Sequence, residues 1–239
     1  MKRVLILGHT GMLGHMVSRY LSDKCVCEYI TDRFPSNLFK SAVSNFDGDF
    51  IINCIGAIPQ KTKDFSINYE FPIWLCNNSS VRIIHPSTDS EHEDDAYSNS
   101  KMRATNTIKV FRDKIRIIKT SIIGPEQNSH HSIFSWFLNS SENVTGYKNS
   151  LWSGITTLEW AKICYNIMNY WDSFEIENRV QSECISKYEL LCTIREVYQK
   201  DINIIPFENK FIDRCGHGDI ISKPIKYQLE ELKEFYERV

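Results

Sequence analysis

Three stretches of the chain hold side chains whose types and spacing can do chemistry. Tyr97-Ser98-Asn99-Ser100-Lys101 separates a phenol from an ammonium by four residues, which puts both on one face of a helix. A free phenol titrates near ~10, and a neighbouring cation stabilises the phenolate, so the pair suits proton exchange near neutrality. Upstream, Pro86-Ser87-Thr88-Asp89 offers two hydroxyls, Ser87 and Thr88, that can bond a carbonyl oxygen together with the phenol; Thr88 is preferred. At the start of the chain, Gly8-His9-Thr10-Gly11-Met12-Leu13-Gly14 suits a dinucleotide diphosphate. Gly8 permits a tight turn, Gly11 lets a diphosphate approach the backbone, and Gly14 lets a helix pack closely on its strand.

These residues need elements to hold them. KRVLIL reads as a buried strand, and GMLGHMVSRYLSD carries apolar residues at helical spacing, so the glycines fall on a strand-to-helix turn whose free amides attract phosphate. CVCEYI, DFIINCIG, VRIIHPS and KIRIIKTSIIG are four more strands, separated by the helical segments SNLFKSAVSNF, SINYEFPIWLCNN and AYSNSKMRATNTIKVF. Alternating strands and helices predict a parallel sheet covered on both faces, an α/β doubly wound fold. In such a sheet ligands bind beyond the carboxyl ends of the strands, where the glycine turn and the Ser87-Thr88 pair are expected.

After about Gly124 the alternation loosens. SIFSWFLNSS, TTLEWAKICYNIMNYW, SKYELLCTIREVYQK and the C-terminal IKYQLEELKEFYERV read as helices, and FEIENRVQS and INIIPF as strands. The expected division is residues 1–124 as the dinucleotide-binding domain and 125–239 as a smaller α/β lobe with elements returning to the main sheet.

The second strand should end near an adenosine ribose, and Asp32 and Arg33 follow it. The acid would bond the 2′-hydroxyl of NAD and the arginine would pair with the 2′-phosphate of NADP. NADPH is preferred because a guanidinium also stacks on adenine, with NADH the alternative.

Composition narrows the class. The chain has 239 residues, 42% hydrophobic and 24% charged, enough for a sizeable core and ordinary for a globular protein. A formal charge of −2 gives no electrostatic footprint for nucleic acid. The opening apolar run, Val4 to Leu7, is too short for a signal peptide, and no run is long enough for a membrane span. A cytoplasmic location is expected, and the sequons at Asn77, Asn78, Asn139 and Asn143 then carry no glycosylation meaning. The eight cysteines form no CxxC pair and mostly sit in apolar runs, so they are expected to be small buried hydrophobes, without a disulfide framework or a metal site.

GHTGMLGH, INCIG, the STD of HPSTD, YSNSK and KTSIIG together resemble the extended short-chain dehydrogenase/reductase family, and most closely its dTDP-4-dehydrorhamnose reductase-like, sugar-nucleotide-binding branch. SWFLNSSENVTGYKNSLWSGITTLEWAK and ISKYELLCTIREVYQKDINIIP extend the resemblance over nearly the whole chain. It implies a Rossmann-type domain for NAD(P)H with a small C-terminal substrate lobe, and NAD(P)H-dependent reduction of a nucleotide-linked 4-keto-6-deoxy sugar for surface polysaccharide. Thr88, Tyr97 and Lys101 are the implied catalytic trio. Gly8, Thr10, Gly11, Met12, Leu13, Gly14, Asp32, Arg33, Asn53, Cys54, Gly56, Lys101 and Thr120 are the implied cofactor residues. Ser87, Ser121, Tyr147, Trp152 and Ser153 are the implied substrate residues, and a homodimer is a family-level expectation. The alternatives are a nucleotide-sugar epimerase that uses bound NAD transiently and a non-catalytic NAD(P)-binding regulator.

The sequence departs from this pattern between the STD segment and the tyrosine. Relatives carry a longer loop with an aromatic and a glycine, whereas here only SEHEDDAY, Ser90 to Tyr97, makes the connection. This shortening bears on whether Tyr97 reaches Thr88; His92 and Asp94 are expected to be solvated there.

Overall fold

The computed structural model describes residues 1–127 and 129–237. Along the chain the elements are β1 (Lys2–Leu7), α1 (Met12–Leu21), β2 (Cys25–Tyr29), α2 (Asn37–Ser44), β3 (Phe50–Asn53), α3 (Ile67–Asn78), β4 (Arg82–Ser87), α4 (Ala96–Ile108) and β5 (Ile115–Lys119). Then come β6 (Ile122–Ile123), α5 (Ile133–Asn139), β7 (Val144–Tyr147), β8 (Ser150–Trp152), β9 (Ile155–Thr156), α6 (Thr157–Asn169) and β10 (Glu177–Gln181). The remainder is β11 (Ile185–Ser186), α7 (Lys187–Tyr198), β12 (Ile204–Phe207), β13 (Ile212–Arg214), β14 (Ile220–Ile221) and α8 (Ile225–Glu237). The C-terminal helix expected from the sequence is present; Arg238 and Val239 lie outside the described residues.

Two compact units emerge, Met1–Lys119 with Ala161–Asn178, and Thr120–Trp160 with Arg179–Val239. In the first, parallel pairing sets the strand order β2-β1-β3-β4-β5. β10 follows β5 in the seven-stranded sheet and runs on into the second unit, where Val180 and Gln181 pair with Ile220 and Ile221 of β14. The doubly wound α/β fold is therefore present, with its switch between β1 and β3. Leu7 lies opposite Asn53, and Ser87 opposite Lys119, so the strands reach their carboxyl ends together. Gly8, Cys54 and Thr88 are thereby set along one edge.

Alternation along the strands explains the core. Leu5, Leu7, Ile51, Ile83, Ile115 and Ile117 pack on one side with Phe39 and Val43 of α2, Phe71 and Leu75 of α3, and Ile108 of α4. The intervening residues Val4, Ile6, Ile52, Ile84 and Ile118 are equally buried. Period-two burial on both faces is what helices on both sides of a parallel sheet require.

In the second unit β8 is the middle of a three-stranded sheet, antiparallel to β11 and parallel to β13. β7 pairs with β12, and β6 with β9. α7 starts on a capping box in which the Ser186 hydroxyl accepts from the Glu189 amide and the Glu189 carboxylate accepts from the Ser186 amide. The structure corrects one expectation here: Cys184 and Cys215 form a disulfide, with Cα atoms 5.5 Å apart. They are 31 residues apart in sequence and in no spacing motif. Ile185 of β11 and Arg214 of β13 both lie opposite Trp152, so Cys184 and Cys215 come next beyond the same end of β8. Cys25, Cys76 and Cys164 are the small buried hydrophobes expected. Among the described residues no helix is long and apolar enough to cross a membrane.

Candidate active site

The glycine turn has the geometry its sequence predicts. Gly8 adopts φ +75°, a left-handed conformation that other residues rarely tolerate. A Cβ on Gly14 would lie 2.1 Å from the Gly8 carbonyl oxygen, so only glycine lets α1 start this close to β1. The Gly11 amide donates to Gly8 O at 3.0 Å and closes the turn. Gly11, the N-cap of α1, supplies no side-chain cap, and the first turn contains no acid. The helix start thus has neither a side-chain cap nor an acid to offset the partial positive charge of its amides, which fits an anionic diphosphate. Thr10 and Gly11 are exposed, Met12 is half-buried and Leu13 points into the core, so Leu13 has its backbone to offer. Asp32 and Arg33 are both exposed beyond β2, and His9 packs on Tyr29 at the end of that strand, ring centroids 4.9 Å apart.

Asn53 ends β3 as a fully buried amide. Its Oδ1 accepts from the Ile55 amide at 2.8 Å, and its Nδ2 lies 3.0 Å from His85 Nδ1. Cys54 donates its amide to Leu7 O at 2.8 Å, and burial pushes its thiol pKa up. At Gly56 a Cβ would stand 3.3 Å from Asn68 Oδ1, a tight approach, and in ordinary contact with Lys101 Nζ at 3.6 Å. Asn68 holds this segment from α3: it accepts from the Ala57 amide at 2.7 Å and donates to Ala57 O at 3.0 Å and Ser100 Oγ at 3.2 Å.

α4 brings the phenol and the ammonium to the same edge. Asp95 caps the helix, accepting from the Ser98 amide at 2.9 Å and the Ser98 hydroxyl at 2.8 Å, so the turn bearing Tyr97 is fixed at its start. The Tyr97 phenol sits beside the Thr88 side chain, and Phe65 meets its ring edge-on at 5.8 Å. Burial pushes the phenol up to about 12; the neighbouring Thr88 hydroxyl opposes this, while Asp89, Asp95 and Glu91 add to it. Lys101, 7% exposed, donates to Pro86 O at 3.3 Å. Burial pushes it down to about 8, with Glu91 opposing. His85 is held well below its ordinary range by burial and then by Lys101, so it stays neutral. The short loop therefore delivers Tyr97 to Thr88. His92 and Asp94 are exposed, as expected.

Three residues of this site escaped the sequence reading: Asn68, His85 and Glu91. Glu91 accepts from Ser87 Oγ at 2.5 Å and Thr105 Oγ1 at 2.6 Å, and pairs with Lys119 Nζ at 2.7 Å. Ser87, an expected substrate residue, thus turns its hydroxyl towards Glu91. One signal was available: every residue of IRIIK is buried, and a lysine ending a buried strand requires an acid.

In the second unit, Thr120 is buried and donates to Ser121 O at 3.1 Å. Ser121 O also accepts from the Ile155 amide at 3.0 Å. Ser153 is buried; its hydroxyl accepts from the Gly216 amide at 3.1 Å and its carbonyl from Ser182 at 2.7 Å. Trp152 is buried beneath Gly154, where a Cβ would lie 2.4 Å from its ring. Tyr147 is exposed and packs edge-on against Phe207 at 6.0 Å.

No protein-family model matches the chain, and no curated sequence does. Solved structures match over its whole length. dTDP-4-dehydrorhamnose reductase from Bacillus anthracis str. Ames, in complex with NADP, is 14% identical and superposes with a TM-score of 0.78, covering 98% of this chain and 99% of that one. The dTDP-4-dehydrorhamnose reductase of Clostridium acetobutylicum gives 0.75 at 14% identity over 98% and 99%. UDP-N-acetylglucosamine 4-epimerase from Bacillus cereus gives 0.71 at 16% over 99% and 100%. At these identities the likeness establishes the architecture: the chain has the Rossmann-like α/β fold of these nucleotide-sugar reductases and epimerases.

Proposed function

We propose that the protein is an NADPH-dependent reductase of a nucleotide-linked 4-keto-6-deoxy sugar. The observation that carries this reading is the convergence of Thr88, Tyr97 and Lys101 at the carboxyl end of β4, with the Tyr97 phenol beside Thr88 despite the shortened loop. The fold it shares with reductases, one of them in complex with NADP, supports the same reading.

The residues divide the work. The amides at the start of α1 bind the diphosphate, and Arg33 pairs with the 2′-phosphate. When bound, the reduced nicotinamide supplies the hydride that converts the sugar ketone to an alcohol. Thr88 donates a hydrogen bond to the carbonyl oxygen, stabilising the charge that develops there. Tyr97, its phenol protonated at neutral pH, gives its proton to that oxygen. Lys101, charged below about pH 8, stabilises the phenolate left behind. Asn53, Cys54, Gly56 and Thr120 serve the cofactor, and Ser121, Tyr147, Trp152 and Ser153 serve the sugar nucleotide. A cytoplasmic homodimer completes the proposal.

A panel of dTDP-, GDP-, UDP- and CDP-linked 4-keto sugars tests it, with NADPH absorbance and product measured together. One NADPH should disappear per sugar reduced. An epimerase would convert sugar without net consumption, and a regulator would bind NADPH and turn over none. Tyr97→Phe should abolish turnover and leave NADPH affinity close to wild type; undiminished turnover would end the mechanism.

A further inference from the structure

We propose that Glu91 is a positioning residue of this centre: a buried carboxylate that ties the strand end carrying Thr88 to the helix face carrying Tyr97 and Lys101. The role rests on the reductase reading. One carboxylate oxygen accepts from both Ser87 Oγ, at 2.5 Å, and Thr105 Oγ1, at 2.6 Å. Ser87 immediately precedes Thr88, and Thr105 lies one helical turn beyond Lys101 on the same face of α4. A direct Thr105–Ser87 hydroxyl bond of 3.2 Å closes the triangle. The other carboxylate oxygen meets Lys119 Nζ at 2.7 Å, and Lys119 also meets Glu177 at 2.5 Å. The side chains of Glu91 and Lys119 are only 13% and 9% exposed, so water can scarcely replace these bonds.

The geometry explains how an eight-residue connection serves where a longer one would be expected. Glu91 turns inward and uses the last residue of β4, the last turn of α4 and the end of β5 as anchors. Its charge also reaches the two groups that exchange and stabilise the proton. Lys101 faces Glu91 and, from β4, His85. Tyr97 faces Thr88, Asp89, Glu91 and, at the start of its own helix, Asp95. Glu91 raises the pKa of both Lys101 and Tyr97, so removing its charge lowers both.

The test is Glu91→Gln in the full chain, with Glu91→Asp beside it. Lys101 is followed by NMR titration of protein labelled with carbon-13 lysine, its signal identified with Lys101→Met. In wild type Lys101 should titrate near about 8; in Glu91→Gln it should titrate lower, and in Glu91→Asp at the wild-type position. With an active keto sugar, Glu91→Gln should lose kcat by on the order of tenfold to a hundredfold while still binding NADPH, and its alkaline limb should move to lower pH. Glu91→Asp should keep the wild-type alkaline limb. An unmoved Lys101 titration in Glu91→Gln, or an equal displacement in Glu91→Asp, overturns the proposal. The two readings fail separately. A wild-type protein that reduces no keto sugar but whose Lys101 follows Glu91 ends the reductase reading and supports the coupling, whereas an active reductase whose Lys101 ignores Glu91 ends the coupling alone.

Discussion

Lys101 is a cation placed where burial opposes its charge. Its pKa falls from the ordinary 10.5 to about 8, so the folded protein holds this proton less tightly than the unfolded chain does. The sign follows: below about pH 8 the charged lysine costs stability in full, and the cost fades as pH rises towards 10.5, where both states have lost the proton. The difference corresponds to on the order of 3 kcal/mol. Lys101→Met should therefore melt higher than wild type at pH 7, with the gap closing towards pH 10.5, and should lose turnover. Thermal unfolding across that range reads the first effect and NADPH consumption the second. A residue that weakens the fold where it stands is explained by chemistry it performs there. Tyr97 differs, because burial favours its neutral form and keeps it a proton donor well above neutral pH.

At the scale of elements, what matters is how closely β1 and α1 approach. The turn between them works because Gly8 has φ +75° and because Gly14 has no Cβ to meet the Gly8 carbonyl. Gly14→Ala should push the first turn of α1 outward, weakening NADPH binding at least about tenfold and lowering stability by about 1–3 kcal/mol; nicotinamide fluorescence and denaturant unfolding measure the two. α4 is held at both ends of its working face, by the Asp95 cap and by Thr105 against Glu91. α1 was legible from the sequence because its apolar residues recur at helical spacing, and α4 because a segment of helical length separates two apolar strands. The short strands β7, β8, β9, β11, β13 and β14 were not read. Strands of two to four residues are too brief to show a period, and partners far along the chain hold them.

For the whole molecule, the chain crosses between units more than once: it leaves the first after Lys119, returns at Ala161 and leaves again after Asn178. The second unit carries the disulfide, which closes a loop over a sequence separation of 31. A loop of that length contributes about 3–4 kcal/mol by limiting the unfolded chain. Dithiothreitol should accordingly lower the unfolding midpoint of wild type. Cys184→Ser should match the reduced protein and show no further response to reductant; a wild type indifferent to reductant would count against the staple.

Alternating apolar runs and helical periods determined the doubly wound order of elements by themselves, because burial on a sheet and on a helix writes a local period into the chain. The glycine turn and the Tyr97-Lys101 pair were likewise local, since each lies within one turn or one helix. Only tertiary structure decided that Thr88 meets Tyr97 across the short loop. It alone also set Glu91 inside among Ser87, Thr105 and Lys119, and joined Cys184 to Cys215. These contacts link residues on different elements, and no spacing along the chain records which buried charge or which sulfur the fold will bring opposite another.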